Sequence, residues 1–201
     1  MKRDNLVVAI FGAVFLFSLI MLFGQGFKAT GYVTEITTIS NVSITTYFSI
    51  SMSGNLSDGI QFGEVSSLPA TNVNASHNYD GANTTEDSNG TEQGTRYWMN
   101  VSVDSNTAVD FCIKADALNT SESDVIGLAN ETFYNNTITN STHPSFASEV
   151  GLTTSYDEAG FNVAQGIANY YRFWLDVPAA TATGTYNNTV SFKGVATATG
   201  C

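Results

Sequence analysis

The most regular pattern in the chain is an alternation of apolar and polar residues with a period of two. Between residues 42 and 52 the even positions are Val42, Ile44, Thr46, Phe48, Ile50 and Met52. The same alternation recurs in 96–104, 109–115 and 169–177. A period of two turns one face of a strand to the core and the other to water. The pattern therefore predicts half-buried β-strands.

Shorter strands and turns complete the predicted order of elements. Further strands are predicted at 30–40, 60–65, 159–163 and 186–194, and turns at 54–59 and 184–185. Two polar stretches, 66–95 and 121–148, are predicted to be long loops, which are usually functional, disordered or covered. About eight to ten short strands without a convincing soluble helix indicate an all-β fold. We expect an antiparallel β-sandwich, Ig-like or jelly-roll in layout, after an N-terminal hydrophobic helix.

The first 29 residues differ from all that follows. Lys2 and Arg3 precede nineteen uncharged residues, Leu6–Gly24, in which Ser18 is the only polar side chain. A signal-peptide core has about 7–15 apolar residues and a membrane-spanning helix about 20, so the length fits either. Residues 1–29 are therefore predicted to be a signal peptide or a membrane-anchor helix. The basic start places residues 30–201 outside the cytoplasmic membrane in both cases.

The charge balance removes one class of function. The formal net charge is −11, and only four basic residues follow Ala29, namely Arg96, Lys114, Arg172 and Lys193. An acidic surface of this kind repels nucleic acid, so no nucleic-acid partner is expected. Only 12% of the residues are charged. Asn, Thr, Ser and Gly must therefore meet the water, a composition that is poor for helices.

Asn-x-Ser/Thr sequons are the most abundant motif. They begin at Asn41, Asn55, Asn74, Asn83, Asn89, Asn100, Asn119, Asn130, Asn135, Asn140 and Asn187. About four would arise by chance from this content of Ser and Thr. Most lie in the two polar stretches or at predicted turns, where a glycosyltransferase can reach them. They are candidate glycosylation sites, and together they predict a glycan coat.

The two cysteines, Cys112 and Cys201, suggest a disulfide in an exported protein. A bond within the chain would fasten the C-terminal tail to the strand at 109–115. Cys201 bonded to a neighbouring subunit and two free thiols are the alternatives. Cys112 would lie on the opposite face of its strand from Val109, Phe111 and Ile113.

No catalytic or metal-binding motif is found, so no cofactor, no metal and no enzymatic activity are expected. The candidates are Cys112 with His77 or His143 as nucleophile and base, and Asp80, Glu86 and Asp87 as calcium ligands. The first pair is better explained by a bridged cysteine and solvated histidines. The acidic residues match no known calcium loop. The aromatic run at 170–174 is more often core than a ligand surface.

The segment Tyr170–Ala179 (YYRFWLDVPA), followed by Gly184–Val190 (GTYNNTV), resembles a hairpin of many secreted Ig-like domains. With the leader, the sequons and the acidic surface, the chain resembles uncharacterised archaeal secreted or membrane-anchored, sequon-rich surface proteins. The resemblance implies a surface β-sandwich and no particular activity.

These observations predict a glycosylated structural protein on the cell surface. It would be a subunit of an extracellular filament or coat that self-assembles with like subunits, with residues 30–40 added as a strand to a neighbour. The alternative is a membrane-tethered adhesin or carbohydrate-binding module that uses loops or Trp98 and Trp174. A membrane partner is expected if the N-terminal helix is retained.

Overall fold

A computed structural model describes residues 41–78, 95–140 and 143–201, together with Phe15. The chain divides into two compact units, Met1–Ser43 and Ile44–Cys201. The second unit holds all the strands given below. The predicted leader helix and the predicted strand at 30–40 lie outside the described residues. Among the residues that are described, no helix is long and apolar enough to cross a membrane.

The second unit is built from eleven strands in the described ranges. In chain order they are β1 (Ile50–Met52), β2 (Ala70–Asn74), β3 (Tyr97–Val101), β4 (Val109–Ala115), β5 (Leu118–Asn119), β6 (Val125–Ile126), β7 (Glu131–Asn136), β8 (Val150–Gly151), β9 (Asp157–Val163), β10 (Ala168–Val177) and β11 (Val190–Ala196). The helical elements are one-turn pieces: α1 (Gly54–Ser57) and 3-10 turns at Leu128–Asn130 and Phe146–Ser148.

The strands form two antiparallel sheets that pack against each other, so the predicted all-β antiparallel sandwich is confirmed. The larger sheet has the order β1-β3-β10-β7-β8, and β2 also pairs with β10. The smaller sheet has the order β11-β4-β9, and β5 and β6 form a separate hairpin. β3 pairs with the first part of β10 and β2 with its last part, while β7 occupies the other edge of β10.

The core lies between the sheets, and its members in β3 and β10 alternate along the strands as the sequence predicted. The larger sheet contributes Tyr97, Met99, Val101, Phe133, Tyr171 and Phe173, and the smaller one Val109, Phe111, Ile113, Ala115, Ala159 and Val163. The rings of Tyr97 and Phe173 meet edge to face with their centroids 5.5 Å apart. This aromatic packing holds β3 beside β10.

Asn78 fills the junction between β2 and β3 on the edge of β10. Its side chain is fully buried, its Oδ1 accepts from the Phe173 N–H at 3.0 Å, and its Nδ2 donates to the Phe173 carbonyl at 2.6 Å. Phe173 lies between the residues of β10 that pair with β3 and those that pair with β2. The Asn78 amide therefore supplies the hydrogen bonds that a neighbouring strand would otherwise make to Phe173. A buried backbone N–H needs such a partner.

Asn78→Ala is expected to lower the free energy of unfolding by about 2 kcal/mol, because the Phe173 N–H is left buried without an acceptor. Urea denaturation followed by tryptophan fluorescence measures the change. The control is Asn136→Ala, which removes a hydrogen bond to the Ile138 N–H at the surface and keeps the Asn135 sequon. Equal losses in the two variants would contradict this role of Asn78.

The alternation at 42–52 predicted a longer strand than the structure contains. Only Ile50–Met52 pairs as β1, while Val42 and Ile44 are 85% and 79% exposed. Phe48 and Ile50 do pack on the core. The pattern is wrong for the first half because no other described element covers those side chains.

The predicted boundaries also fail elsewhere. The stretch 60–65 forms no strand, although Ile60 and Phe62 pack against the core. The polar stretch 66–95 contains β2, and the stretch 121–148 contains β7, whose six residues pair with β10. Pairing with β10 therefore makes strands of sequences whose own composition favours loops.

Candidate interaction groove and surface sites

A groove opens at one edge of the sandwich, between the 57–68 segment and the 181–190 segment. Its apolar walls come from parts of the chain that are distant in sequence: Phe62, Leu118, Leu175, Val177, Val190 and Phe192. Leu118, Ile126, Leu175 and Val177 are buried and form a second small core at its base. We call this feature the edge groove.

The edge groove is large and weakly charged. Its volume is about 1200 Å³, above the roughly 300–1,000 Å³ of typical small-molecule sites. Asp58 and Glu64 are the only Asp or Glu side chains among its lining residues, and no Lys, Arg or His lines it. Such a space suits an uncharged segment of polypeptide better than an ionic ligand.

The groove lies at one end of the sandwich, which the strand registers define. We call the lower end the one where β10 stops at Val177 and β11 starts at Val190, and the upper end the one where Val101 of β3 pairs with Ile50. The groove extends along the lower half. β11 pairs only with β4 among the described strands, so its other edge borders the groove.

The N-terminal segment joins the sandwich at the upper end. The Tyr47 N–H donates to Asn106 Oδ1 at 2.7 Å, and Asn106 Nδ2 donates to the Thr45 carbonyl at 2.8 Å. Asn106 belongs to the turn between β3 and β4. Residues 45 and 47 therefore lie at the end opposite to the edge groove.

The predicted bond between the two cysteines is present within the chain. Cys112 and Cys201 are joined with their Cα atoms 5.7 Å apart. The C-terminal tail covers the outer face of β4, where Asp110 accepts from the Asn162 N–H, the Thr197 hydroxyl and the Ala198 N–H. Cys112 is therefore fully buried on a face that alternation alone would turn to solvent.

Two of the four lysines and arginines that follow Ala29, Lys114 and Lys193, contact the same aromatic ring, that of Tyr156. The Nζ atoms of Lys114 and Lys193 lie 4.8 and 4.5 Å from the centroid of the Tyr156 ring. Lys193 also donates to the Cys201 carbonyl at 2.8 Å. The contacts are cation–π interactions and fasten the tail further. Nothing in the local sequence signalled this cluster, because Tyr156 lies between the predicted strands.

Glu131 is a buried acid that the sequence analysis did not single out. It is 1% exposed, and the Asn188 amide donates to its Oε2 at 2.6 Å. Oε1 has no hydrogen-bond partner among the described residues. Burial raises the pKa of Glu131 to about 7, and the Asn188 hydrogen bond opposes that rise. The carboxyl is too enclosed to meet a substrate, so its effect is on stability.

The histidines do not form a catalytic site with cysteine. The amide of Asn55 contacts the ring nitrogens of His77, and the His77 ring packs edge to face on Tyr97. His143 contacts the Asn140 side chain, and Cys112 is consumed by the disulfide. Within 41–78, 95–140 and 143–201 no group of three His, Cys, Asp or Glu is placed to hold a metal ion. Asp80, Glu86 and Asp87 lie outside these ranges.

The late aromatic run is mainly core. Tyr171, Phe173 and Trp174 are buried, and the Trp174 ring contacts Phe146 at a centroid distance of 5.1 Å. Burial raises the pKa of the Tyr171 hydroxyl well above its usual range. Trp98 is half-buried. These rings leave little aromatic surface for a ligand.

The described sequon asparagines all reach the surface to some degree. Asn41, Asn119 and Asn187 are exposed, and the half-buried ones are Asn55, Asn74, Asn100, Asn130, Asn135 and Asn140. The two fully buried asparagines of the described ranges, Asn78 and Asn169, belong to no sequon. Asn83 and Asn89 lie outside the described residues.

Comparison with protein-family models, curated proteins and solved structures gives no match for this chain.

Proposed function

We propose that this protein is a glycosylated structural component of the extracellular cell surface, a subunit of a filament or coat. The observation that carries the proposal is the placement of the described sequons. Every one of the nine asparagines is exposed or half-exposed, while the buried asparagines lie outside sequons. Glycans attached there would be accommodated outside the core, where they solubilise a surface poor in charge and shield it from proteases.

The disulfide supports the proposed location. A bridge that joins the tail to β4 persists in an oxidising compartment and is rare in the cytosol. The bridge and the lysine contacts on Tyr156 fix a tail rich in Thr and Gly that would otherwise fray. An acidic β-sandwich that is cross-linked by a disulfide and preceded by an apolar leader suits a protein that works outside the cell. Where the N-terminal helix is retained, it would hold the protein at the membrane.

Two exposed sequons lie side by side at the lower end. The backbone N–H groups of Asn119 and Asn187 donate to each other's carbonyls at 2.9 and 3.0 Å. Residues paired in this way project their side chains from the same face of the sheet. The pair would therefore carry two adjacent glycans next to the edge groove.

We expect Asn187 to carry a glycan at higher occupancy than Asn135, because Asn187 is exposed and the Asn135 amide donates to Asn169 inside the sheet. Glycopeptide mass spectrometry of protein from its native cells measures both occupancies. Thr189→Ala is the control, since it removes the sequon and keeps the asparagine. An unmodified Asn187 beside a modified Asn135 would contradict the expectation.

Electron microscopy with an antibody against the domain tests the function itself. We expect label along filaments or over a coat on intact cells, and N-terminal sequencing shows whether the leader is retained. A cell surface without any labelled assembly would refute the proposal. The alternative, a tethered adhesin or carbohydrate-binding module, has less support because Trp174 is buried. Binding on a glycan array would favour it.

A further inference from the structure

We propose that the edge groove receives residues 30–40 of a second copy of this chain as an added strand, antiparallel to β11. The inference rests on the proposed function and specifies how the subunits join. It is carried by two observations that lie at opposite ends of the sandwich: an open groove at the lower end, and the entry of the chain at residues 45 and 47 at the upper end.

The groove provides a receptive edge. The seven residues of β11 pair with β4 alone among the described strands. Across the groove, β1 ends after three residues, at Met52, so β1 does not reach the lower half of β11. An edge with free N–H and C=O groups above an apolar floor is the site at which an extended peptide adds to a sheet.

The segment before residue 45 has the properties of such a strand. Val42 and Ile44, which continue its even-numbered face, are 85% and 79% exposed. Even positions upstream are Tyr32, Thr34, Ile36 and Thr38, none of them charged, and Glu35 falls on the odd face. The even face carries no charge and mixes apolar with hydroxyl side chains, as does the groove, whose two charged residues are both acidic.

The positions of the groove and of the chain entry determine which molecule donates the strand and which accepts it. Residues 45 and 47 are held at the upper end by Asn106, and the chain runs down from there into β1. The groove of the same molecule lies at the lower end. In the proposed contact, residues 30–40 therefore enter the groove of a second molecule, stacked above, which presents its lower end to them.

In that stack the donated strand runs from top to bottom, whereas β11 runs from Val190 at the bottom to Ala196 at the top. The pair is antiparallel, and Ser40 enters nearest Val190. Each molecule uses one surface to donate and a different one to accept. Such a head-to-tail contact does not close on itself unless a rotation closes the ring, so it generates a filament.

Paired cysteines test the contact in the full chain on cells that make it. With Ser40→Cys and Val190→Cys together, mild oxidation is expected to give a ladder of covalent multimers on non-reducing gels, because Ser40 enters nearest Val190. The native bridge does not interfere, since Cys112 is buried and bonded. Tyr32→Cys with Val190→Cys is the matched control and should give no ladder, because an antiparallel strand places Tyr32 at the far end of β11.

A ladder from the control pair alone would overturn the antiparallel arrangement. A cross-link confined to single chains would show that each molecule fills its own groove, and the absence of any cross-link would show that this segment does not bind there; either result refutes the inference.

A second pair of variants avoids cysteine chemistry. Ile36→Asp is expected to reduce the assembled fraction about tenfold or more, because it would bury an unpaired charge. Ile39→Asp, on the opposite face of the segment, should assemble like the parent. Antibody-labelled assemblies that persist in Ile36→Asp would refute the strand contact and leave the surface function intact. Cells with no labelled assembly of the parent chain would refute the function.

Discussion

Replacing both cysteines by alanine is expected to lower the free energy of unfolding by about 4 kcal/mol. Cys112 and Cys201 are 89 residues apart, and a cross-link that closes so long a loop restricts the unfolded chain strongly. The folded state also loses contacts, because a released tail withdraws the Thr197 hydroxyl and the Ala198 N–H from the buried Asp110 carboxylate.

Urea denaturation of the purified protein, with and without reductant, measures this change. The parent should lose stability when reduced, and the double alanine variant should be insensitive to reductant. Limited proteolysis supplies a local readout, since residues 197–201, although largely exposed already, are no longer tethered to β4 once the bridge is gone and can enter a protease active site. A parent that unfolds at the same urea concentration in both conditions would show that the hydrogen bonds and lysine contacts alone hold the tail.

Glu131 is expected to make the protein less stable as the pH rises from about 4.5 to 7. Burial raises the pKa of this carboxyl from 4.5 to about 7 in the folded state, so the folded protein favours the neutral form. The stabilising contribution is complete below pH 4.5, where the carboxyl is protonated in both states, and it is lost as the pH rises through 7. The difference in pKa corresponds to roughly 3 kcal/mol.

Glu131→Gln removes this titration and keeps the sequon at Asn130. The variant should gain roughly 3 kcal/mol relative to the parent between pH 4.5 and 7.5, measured by urea denaturation across that range. The readout is how the difference in stability between variant and parent changes with pH. The absolute stability is a poorer measure, because the amide nitrogen introduced by the substitution replaces Oε1 of Glu131, which has no hydrogen-bond partner among the described residues. Glu122→Gln, at an exposed position, is the control and should follow the parent. Parallel pH profiles for the Glu131 variant and the parent would contradict the expectation.

The buried faces of β3, β4 and β10 followed from the sequence alone. Alternation predicted Tyr171, Phe173, Leu175 and Val177 on one face, and all four are buried. Alternation is a local property of a strand, so it survives wherever a strand pairs and one face is covered. Likewise, two cysteines leave a single pairing within the chain, which the structure contains.

The opposite faces and the polar strands depended on tertiary structure. Arg172 and Trp174 are buried although they alternate with the core residues, because more of the chain covers that side of β10. The sequence of β7, ETFYNN, gives little indication of a strand. It becomes one by pairing along six residues of β10. A window of a few residues contains no information about a partner 40 residues away.

The edge groove shows the same division. Its walls come from 57–68, 118–126 and 175–192, and only folding brings these segments together. The sequence determined that the protein has an apolar N-terminal stretch, abundant sequons, two cysteines and strands with one apolar face. Tertiary structure decided which strands are neighbours, which edge stays open and at which end the N-terminal segment enters. The physical reason is that alternation and motifs are encoded locally, whereas edges and grooves arise from contacts between distant residues.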